Sequence, residues 1–303
     1  MKHIGDLNDA LGGFADTPLA HEILDTARRM QIIQGEELQK PVETRIFTIS
    51  NQKGGVGKTT TTVNLAAALA LKGMEVVVID LDPQGNASTA LGVEHHAEIK
   101  SIYEVLIDGM SLAEVIQDSP ENPGLRCVPA TIHLAGAEIE LVSMVAREQR
   151  LKTAIQNYLK EAAIRPDYVF IDCPPSLGLL TVNAFVAATE ILIPIQCEYY
   201  ALEGLSQLLK NIDLIRQHLN QDLKLSTILL TMYDGRTKLA TQVAQEVKDH
   251  FPHQVLNAVI PRSVRVSEAP SYGQTVISYD QNSPGSLAYL EAAIEISKRG
   301  PNS

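Results

Sequence analysis

Apolar and polar residues change their pattern along this chain near residue 45. From there onward, short β-branched and apolar runs alternate with longer stretches whose apolar residues recur every three or four positions. That alternation is typical of βαβ units around a parallel sheet. It predicts strands near 45–50, 75–80, 125–129, 168–172, 190–195, 226–232 and 255–260. It predicts helices near 58–72, 132–147, 151–164, 178–188, 202–219, 237–250 and 286–299. We therefore predict an α/β fold, a mostly parallel twisted sheet flanked by helices on both faces.

The first 44 residues carry a different pattern. Thr17-Pro18 is typical of a helix N-cap and the first helical residue after it. The apolar residues that follow at helical spacing are Leu19, Ile23, Leu24, Ala27 and Met30. We predict an N-terminal extension over 1–44 with one short amphipathic helix, and one α/β domain over 45–303. The helix either packs on that domain or serves as an arm that binds a partner or modulates dimerisation.

Composition and charge narrow the class of protein. The chain has 303 residues, of which 45% are hydrophobic and 20% charged, and these values exclude a disordered or collagen-like protein. Three widely spaced cysteines predict neither a disulfide framework nor a zinc site, and they fit a reducing cytoplasm. No apolar run is long enough for a membrane span, so we expect a cytoplasmic protein. The net charge of −11 argues against an extensive nucleic-acid surface but is compatible with a small basic patch.

A glycine-rich turn joins the first predicted strand of the α/β region to its first helix. It reads Lys53, Gly54, Gly55, Val56, Gly57, Lys58, Thr59 and Thr60. Glycines let backbone N–H groups converge on phosphate oxygens, and the helix N-terminus adds partial positive charge. In such a loop Lys58 reaches the β- and γ-phosphates and the Thr59 hydroxyl binds Mg²⁺. The turn therefore predicts a nucleotide-phosphate site with Mg²⁺.

This turn departs from the G-x-x-x-x-G-K-[ST] pattern because Gln52 stands where the first glycine is expected. An additional lysine, Lys53, precedes the glycines. It comes too early in the turn to duplicate Lys58, so we expect its side chain to point away from its own loop. In a face-to-face dimer, Lys53 would contact the nucleotide of the second subunit in the manner of an arginine finger.

The loop resembles the deviant Walker A motif of the ParA/MinD group of P-loop ATPases. Other segments make residues 45–297 similar to the ParA (Soj-like) ATPases of chromosome and plasmid partition. These segments are VIDLDPQGN at 78–86, FIDCPPS at 170–176, EYYALEG at 198–204, TMYDGRT at 231–237, and IPRSVR with EAP between 260 and 270. The resemblance implies a P-loop NTPase fold of the deviant Walker A type, hydrolysis of ATP, and ATP and Mg²⁺ as cofactors.

Acidic residues end two predicted strands, at the sheet edge where ligands bind in open α/β folds. Asp80 and Asp82 follow the apolar run 76–79, and Asp172 closes the run 168–171. The resemblance implies that Asp82 positions or activates the attacking water, with Asp80 as its neighbour. Asp172 matches the Walker B position and is expected to hold a Mg²⁺-bound water. The predicted catalytic residues are Lys53, Lys58 and Asp82, and the predicted metal site is Thr59, Asp82 and Asp172.

Two further segments are expected at the nucleotide by resemblance alone. Met232 and the turn of Pro261, Arg262 and Ser263 would lie around the adenine base. Ordinary core packing is the alternative explanation for Met232. The Pro-Pro-Ser turn at 174–176 matches a nucleotide-sensing switch of the family.

The resemblance also implies a cycle. An ATP-bound homodimer binds double-stranded DNA non-specifically on the nucleoid, and a ParB-type centromere-binding protein stimulates hydrolysis and release. Candidate DNA contacts are Arg236, Arg262 and Arg265, in loops that match DNA-facing positions of the family. They would contact phosphates, so binding would be sequence-independent and steeply dependent on salt. For each arginine alone, a merely solvated surface position is the alternative.

Two other functions fit the same motif less well. A MinD-like membrane ATPase needs a basic amphipathic C-terminal helix with bulky apolar residues, which the segment 291–303 lacks. The other class is a metabolic or redox P-loop ATPase, such as an amide-forming synthetase or an iron–sulfur reductase ATPase. The iron–sulfur members bridge a cluster between subunits with cysteines, and Cys127, Cys173 and Cys197 lack the surrounding pattern. Partition without membrane association therefore stays the prediction.

Overall fold

The computed structural model describes residues 17–199 and 201–300. Within them the chain forms a sheet of eight strands and a set of helices. The strands are β1 (Arg45–Ile49), β2 (Val76–Asp80), β3 (Gln117–Asp118), β4 (Leu125–Val128), β5 (Tyr168–Asp172), β6 (Glu190–Gln196), β7 (Lys224–Tyr233) and β8 (Val255–Pro261). The longer helices are α1 (Pro18–Gly35), α2 (Lys58–Leu71), α5 (Leu134–Leu141), α6 (Arg150–Glu161), α7 (Leu179–Ala187), α8 (Ala201–His218), α9 (Lys238–His250) and α12 (Pro284–Lys298). The shorter ones are α3 (Asn86–Ala90), α4 (Ile102–Ile107), α10 (Val264–Glu268) and α11 (Val276–Tyr279).

The sheet has the order β3-β4-β2-β5-β1-β6-β7-β8. Every neighbouring pair is parallel except β3 and β4, which pair antiparallel at one edge. The predicted α/β class is therefore confirmed. Asp172 at the end of β5 is in register with Asp80 of β2 on one side and Ile49 of β1 on the other. The phosphate loop and both acidic strand ends thus meet at the middle of the carboxyl edge.

Two hydrophobic clusters cover the two faces of the sheet, because successive strand residues point to opposite sides. Ile79 and Ile171 belong to one cluster, and their neighbours Val78 and Phe170 belong to the other. Helices α6, α7, α8 and α9 contribute to the first cluster, and α2 and α12 to the second. The strands are buried on both sides, which explains why they appear in the sequence as nearly continuous apolar runs.

The helix predicted over 132–147 was wrong in length. The helix covers Leu134–Leu141, and the backbone continues in turns to the start of α6. Ala146 adopts a left-handed conformation with φ 51°, which a continuous helix does not tolerate. The sequence analysis also missed the short elements α3, α4, β3, α10 and α11. For α4 a local signal existed, since Ser101 and Glu104 form a capping box.

The N-terminal helix α1 begins at the expected cap, where the Thr17 hydroxyl oxygen accepts a hydrogen bond from Ala20 N at 3.3 Å. It packs on α12 through Arg29, whose Nε and Nη2 lie 2.7 and 2.8 Å from the Glu291 carboxylate. Lys72, at the end of α2, donates to the carbonyl oxygens of Ile33 and Glu36. These contacts favour docking on the domain. None of the described helices combines the length and the apolar character that crossing a bilayer requires.

Candidate nucleotide site

The phosphate loop holds its open shape through glycines. Gly55 and Gly57 have φ values of 72° and 88°, a region that favours glycine. Helix α2 starts directly after Gly57, and no side chain caps its first turn. The N–H groups of that turn are therefore available for phosphate oxygens, and the helix dipole points its positive end at the same place.

The end of β7 braces this loop from the side. The Thr231 hydroxyl donates to the Val56 carbonyl oxygen at 2.9 Å. A Cβ on Gly57 would lie 3.9 Å from Met232 Cε, so the methionine thioether lies against the loop rather than deep in the core. Met232 itself has φ 49°, an uncommon conformation for a residue other than glycine. The structure therefore brings Met232 to the phosphate loop, while its predicted contact with the adenine base stays a prediction.

Lys58 is the first residue of α2 and is almost fully buried, with 7% of its surface exposed. Its Nζ donates to the carbonyl oxygen of Lys53 at 3.2 Å, across the loop. Burial lowers the pKa of Lys58, and the neighbouring charges of Asp172 and Asp82 act in the opposite direction. A buried ammonium held over a ring of N–H groups is suited to a phosphate anion.

Two buried carboxylates, Asp172 and Asp80, end the neighbouring strands β5 and β2. Asp172 accepts hydrogen bonds from the hydroxyls of Thr59 at 2.7 Å and Thr62 at 2.9 Å. Asp80 accepts from the Ser88 hydroxyl at 2.7 Å and from Ser88 N at 2.9 Å. Desolvation by burial raises the pKa of both carboxyl groups. The charge of Asp80 raises the pKa of Asp172 further, and the charge of Asp82 raises the pKa of Asp80. The pair thus favours a cation or a proton nearby.

Asp82 lies two residues past the end of β2 and is only half-buried. Its Oδ1 accepts from Gln84 N at 3.0 Å, which fixes the loop in an Asx turn. Its own N–H donates to Asp80 at 3.1 Å. The loop therefore holds the Asp82 carboxylate at the rim of the site while Asp80 stays in the core beneath it.

The residues present fit a nucleotide with Mg²⁺. Gln52 Nε2 is buried and has no acceptor among the described residues, so a donor remains for a ligand. No group of three or more His, Cys, Asp or Glu side chains forms a metal cage within the described parts of the chain. Mg²⁺ binds through one or two protein oxygens together with waters and phosphate oxygens. When bound, Mg²⁺ offsets charge that develops on the phosphates. Thr59 and Asp172, joined by a hydrogen bond of 2.7 Å, would hold it.

Lys53 leaves its own loop, and the residue it contacts was missed in the sequence analysis. Its Nζ lies 2.5 Å from Oε2 of Glu198, and both side chains are nearly half exposed. Gln196 Nε2 donates to the other oxygen of Glu198 at 2.5 Å. Glu198 opens the EYYALEG segment after β6, so the motif was visible in the sequence. Its pairing with Lys53, however, depends on β6 lying beside β1.

The three arginines proposed for DNA are brought to one edge of the sheet, because β7 and β8 are parallel neighbours and their following loops leave from the same end. Arg262 N donates to the Tyr233 carbonyl oxygen at 3.2 Å, which joins the two loops. Arg236 forms an ion pair with Asp234 at 2.7 Å, and Arg265 lies 3.4 Å from Glu268 and from Asp280. The cations are therefore clustered, and two of them already have acidic partners.

Comparison with protein families and curated proteins places this site in context. A family model described as an AAA domain matches residues 44–225. The chain is 52% identical over 261 residues to the sporulation initiation inhibitor protein Soj of Bacillus subtilis, covering 84% of this chain and 99% of that protein. It is 51% identical to the chromosome partitioning protein ParA of Myxococcus xanthus, covering 84% of this chain and 88% of the relative.

Solved structures share the fold. A structure named cobyrinic acid a,c-diamide synthase from Mycobacterium smegmatis, with ADP and magnesium, matches with a TM-score of 0.70 and 37% identity over 82% of this chain and 92% of that one. The cell division ATPase MinD of Pyrococcus furiosus matches with a TM-score of 0.67 and 26% identity over 84% and 98%. From its phosphate loop, its acidic strand ends and its relatives, this chain belongs to the ParA/Soj family of partition ATPases, P-loop enzymes that hydrolyse ATP with Mg²⁺.

Proposed function

We propose that the ATP-bound chain forms a face-to-face homodimer that binds double-stranded DNA without sequence preference. A ParB-type partner then stimulates hydrolysis, and the DNA is released. The observation that carries the proposal is the outward position of Lys53, whose ammonium pairs with Glu198 at the surface while Lys58 occupies the loop. A lysine so placed is able to meet the nucleotide of a second subunit.

This geometry gives ATP and ADP different effects on dimerisation. In the isolated subunit the charge of Lys53 is balanced by Glu198. A γ-phosphate presented by a second subunit offers a stronger anion at the same surface, and ADP lacks it. The nucleotide with the γ-phosphate therefore favours the dimer, and the coupling is reciprocal, because dimerisation favours binding of ATP by the same free energy.

Within one subunit we assign separate roles to the residues of the site. The backbone of Gly54, Gly55, Val56 and Gly57 and the side chains of Lys58, Thr59 and Thr60 hold the phosphates. Asp82 orients the attacking water. Asp172, which accepts a hydrogen bond from the Thr59 hydroxyl, would also hold a water bound to the metal. Met232, Pro261, Arg262 and Ser263 surround the base.

The clustered arginines supply the DNA surface. Arg236, Arg262 and Arg265 lie on neighbouring loops at one edge of the sheet, so DNA phosphates would replace the carboxylates that now pair with Arg236 and Arg265. Exchange of one anion for another keeps each arginine charged and releases counterions from the DNA, which makes binding fall steeply with salt. This DNA contact would hold the protein on the nucleoid.

We further propose that the ATPase domain covers residues 45–303 and that residues 1–44 are an extension outside it.

The test is the affinity for a random-sequence duplex in ATP and Mg²⁺. Replacing both Arg236→Glu and Arg265→Glu should abolish measurable binding while nucleotide affinity stays unchanged. The matched control is Arg216→Glu on α8, an exposed arginine that also has an acidic partner, Asp213 at 3.6 Å. Retained DNA affinity in the double variant would contradict this assignment of the surface.

A further inference from the structure

The turn that carries Asp82 joins β2 to α3, and Asp80 holds its inner side. Ser88 N and the Ser88 hydroxyl donate to Asp80 Oδ2 at 2.9 and 2.7 Å, and Asp82 N donates to Asp80 Oδ1 at 3.1 Å. The turn closes with a hydrogen bond from Gly85 N to the Asp82 carbonyl oxygen at 2.9 Å. What holds the outer side of this turn therefore decides how firmly the Asp82 carboxylate is placed.

His95 lies on that outer side. Its Nε2 is 3.0 Å from the Thr89 hydroxyl oxygen. The same hydroxyl donates its hydrogen to the Gly85 carbonyl oxygen at 3.0 Å. Because a hydroxyl carries a single hydrogen, Nε2 of His95 is the donor in the contact with Thr89. The hydrogen bonds thus run from His95 through Thr89 to Gly85, the residue that closes the turn.

The His95 ring also packs on the backbone of the turn. A Cβ on Gly85 would lie 3.0 Å from Nδ1 of His95 and 3.3 Å from the Ala130 carbonyl oxygen, closer than side chains normally approach. Gly85 also has φ 66°, a conformation that favours glycine. The turn is therefore in direct contact with the imidazole, and movement of that ring changes what the turn rests on.

The segment that carries His95 is itself anchored. Glu94 N donates to Gln117 Oε1 at 3.0 Å, and Gln117 Nε2 donates to the Glu94 carbonyl oxygen at 2.9 Å. Val93 N donates to the Ser88 carbonyl oxygen at 3.1 Å. Gln117 belongs to the edge strand β3, so the sheet fixes the backbone next to His95. The imidazole therefore has a fixed base from which to hold the turn.

We propose that His95 is a positioning residue for ATP hydrolysis. Through Thr89 and Gly85 it fixes the turn 82–85 and, with it, the carboxylate of Asp82. An attacking water reacts only when it is held in line with the bond that breaks, so a carboxylate on a loose turn holds the water correctly for less of the time. Binding of ATP depends on the phosphate loop instead. The inference deepens the proposed role of Asp82 and rests on it.

The experiment measures steady-state phosphate release by the full chain over a range of ATP concentrations, with Mg²⁺ in excess. His95→Ala removes both the ring and the hydrogen bond, whereas His95→Gln keeps an N–H donor at a similar reach along the side chain. The matched control is His96→Ala, because the neighbouring His96 is exposed and its Nε2 lies 4.0 Å from the Glu94 carboxylate. Thermal unfolding checks that each variant is folded at the assay temperature.

We expect His95→Ala to lower kcat about three- to tenfold, as for the loss of one hydrogen bond, with the KM for ATP within about twofold of the wild type. His95→Gln should recover most of the lost kcat, and His96→Ala should equal the wild type. An unchanged kcat in His95→Ala would overturn the inference. So would a loss of kcat that His95→Gln does not recover, because the hydrogen bond would then not be its cause.

Two further variants separate this inference from the assigned role of Asp82. Asp82→Asn should lower kcat by about 10²-fold or more. Adding His95→Ala to Asp82→Asn should lower it no further, because the turn then has no carboxylate to position. A full additional loss in the double variant would overturn action through Asp82. An Asp82→Asn variant with the kcat of the wild type would instead contradict the proposed role of Asp82 itself.

Discussion

Two buried charge clusters lie at opposite ends of the central strands, and they are built differently. At the amino end, Nε and Nη2 of Arg45 donate to the two carboxylate oxygens of Glu190, both at 2.7 Å, and Nη1 donates to the Ile296 carbonyl oxygen. Its guanidinium also lies 4.8 Å from the ring centroid of Phe47. At the carboxyl end, Asp80 and Asp172 lie side by side on neighbouring strands. Each accepts hydrogen bonds from hydroxyl or N–H donors, and the Lys58 ammonium lies near Asp172.

The comparison shows which cluster stabilises the fold and which is kept for chemistry. Every charge of the Arg45 cluster has a partner, so the desolvation of the two ions is offset. Burial raises the pKa of both carboxyl groups of the other cluster, and neighbouring carboxylates raise it further, which costs stability in the absence of a ligand. A protein retains such a site where a cation and a phosphate complete it.

The largest effect is expected at Lys58. Replacing Lys58→Ala removes the cation that faces the phosphates, and we expect the ATPase rate to fall by about 10²–10³-fold. The control is Lys210→Ala, an exposed lysine on α8, which should hydrolyse ATP at the wild-type rate. Steady-state phosphate release measures both. A Lys58→Ala rate within a few-fold of the wild type would remove this lysine from the site.

The amino-end cluster should respond in stability and not in rate. Glu190→Gln leaves the buried guanidinium of Arg45 with a neutral partner, and we expect a loss of about 3–5 kcal/mol in the free energy of unfolding. Urea unfolding measures this loss. At a temperature where the variant is folded, its ATPase rate should equal that of the wild type. A loss below about 1 kcal/mol would mean that the two clusters do not differ in the way described here.

In the carboxyl-end cluster, the buried charge should destabilise the fold, whereas the charge of Glu190 stabilises it. Burial holds the pKa of Asp172 above its unfolded value, so the folded chain binds more protons across the window from about pH 4 up to the folded pKa. Without nucleotide and metal, the free energy of unfolding should therefore fall as pH rises through that window. Asp172→Asn should flatten this fall and abolish the stabilisation by ADP with Mg²⁺. Thermal unfolding at pH 5 and pH 8 checks it, and a wild type that gains stability toward pH 8 relative to the variant would contradict it.

The smallest effect is expected at Arg29 and Glu291, which repeat the bidentate geometry of Arg45 and Glu190 at a partly exposed site. Solvent screens this pair, so Glu291→Gln should cost about 1 kcal/mol or less. Denaturant unfolding of Glu291→Gln and Glu190→Gln compares the same substitution at a partly exposed and at a buried ion pair. A loss as large as that of Glu190→Gln would show that docking of α1 is a principal source of stability.

The sheet and the phosphate loop were largely predictable because each depends on local sequence. Buried strands such as Tyr168–Asp172 are nearly continuous apolar runs. The left-handed backbone of the loop requires glycine at positions such as Gly55 and Gly57. The length of α5 was not predictable, since Val142 and Val145 continue the helical spacing of apolar residues beyond Leu141 and mimic a longer helix. The elements α3, α10 and α11 span only four or five residues, too few to show a period.

The pairing of Lys53 with Glu198 could not be predicted either, because the two residues are 145 positions apart and meet only through the strand order. Motifs in the sequence identified which residues lie at the site. Contacts between distant segments decide which partner each charged group has, and these contacts can be seen only in the folded structure.

The central claim is that the γ-phosphate, met by Lys53 from a second subunit, switches DNA binding on. The direct measurement is the affinity for a non-specific duplex in ATP and Mg²⁺, in ADP and Mg²⁺ and without nucleotide, across a salt series, for the wild type and Lys53→Ala. The account predicts binding in ATP alone, falling steeply with salt and lost in Lys53→Ala. Binding that is equal in ATP and ADP, or that persists in Lys53→Ala, would contradict it.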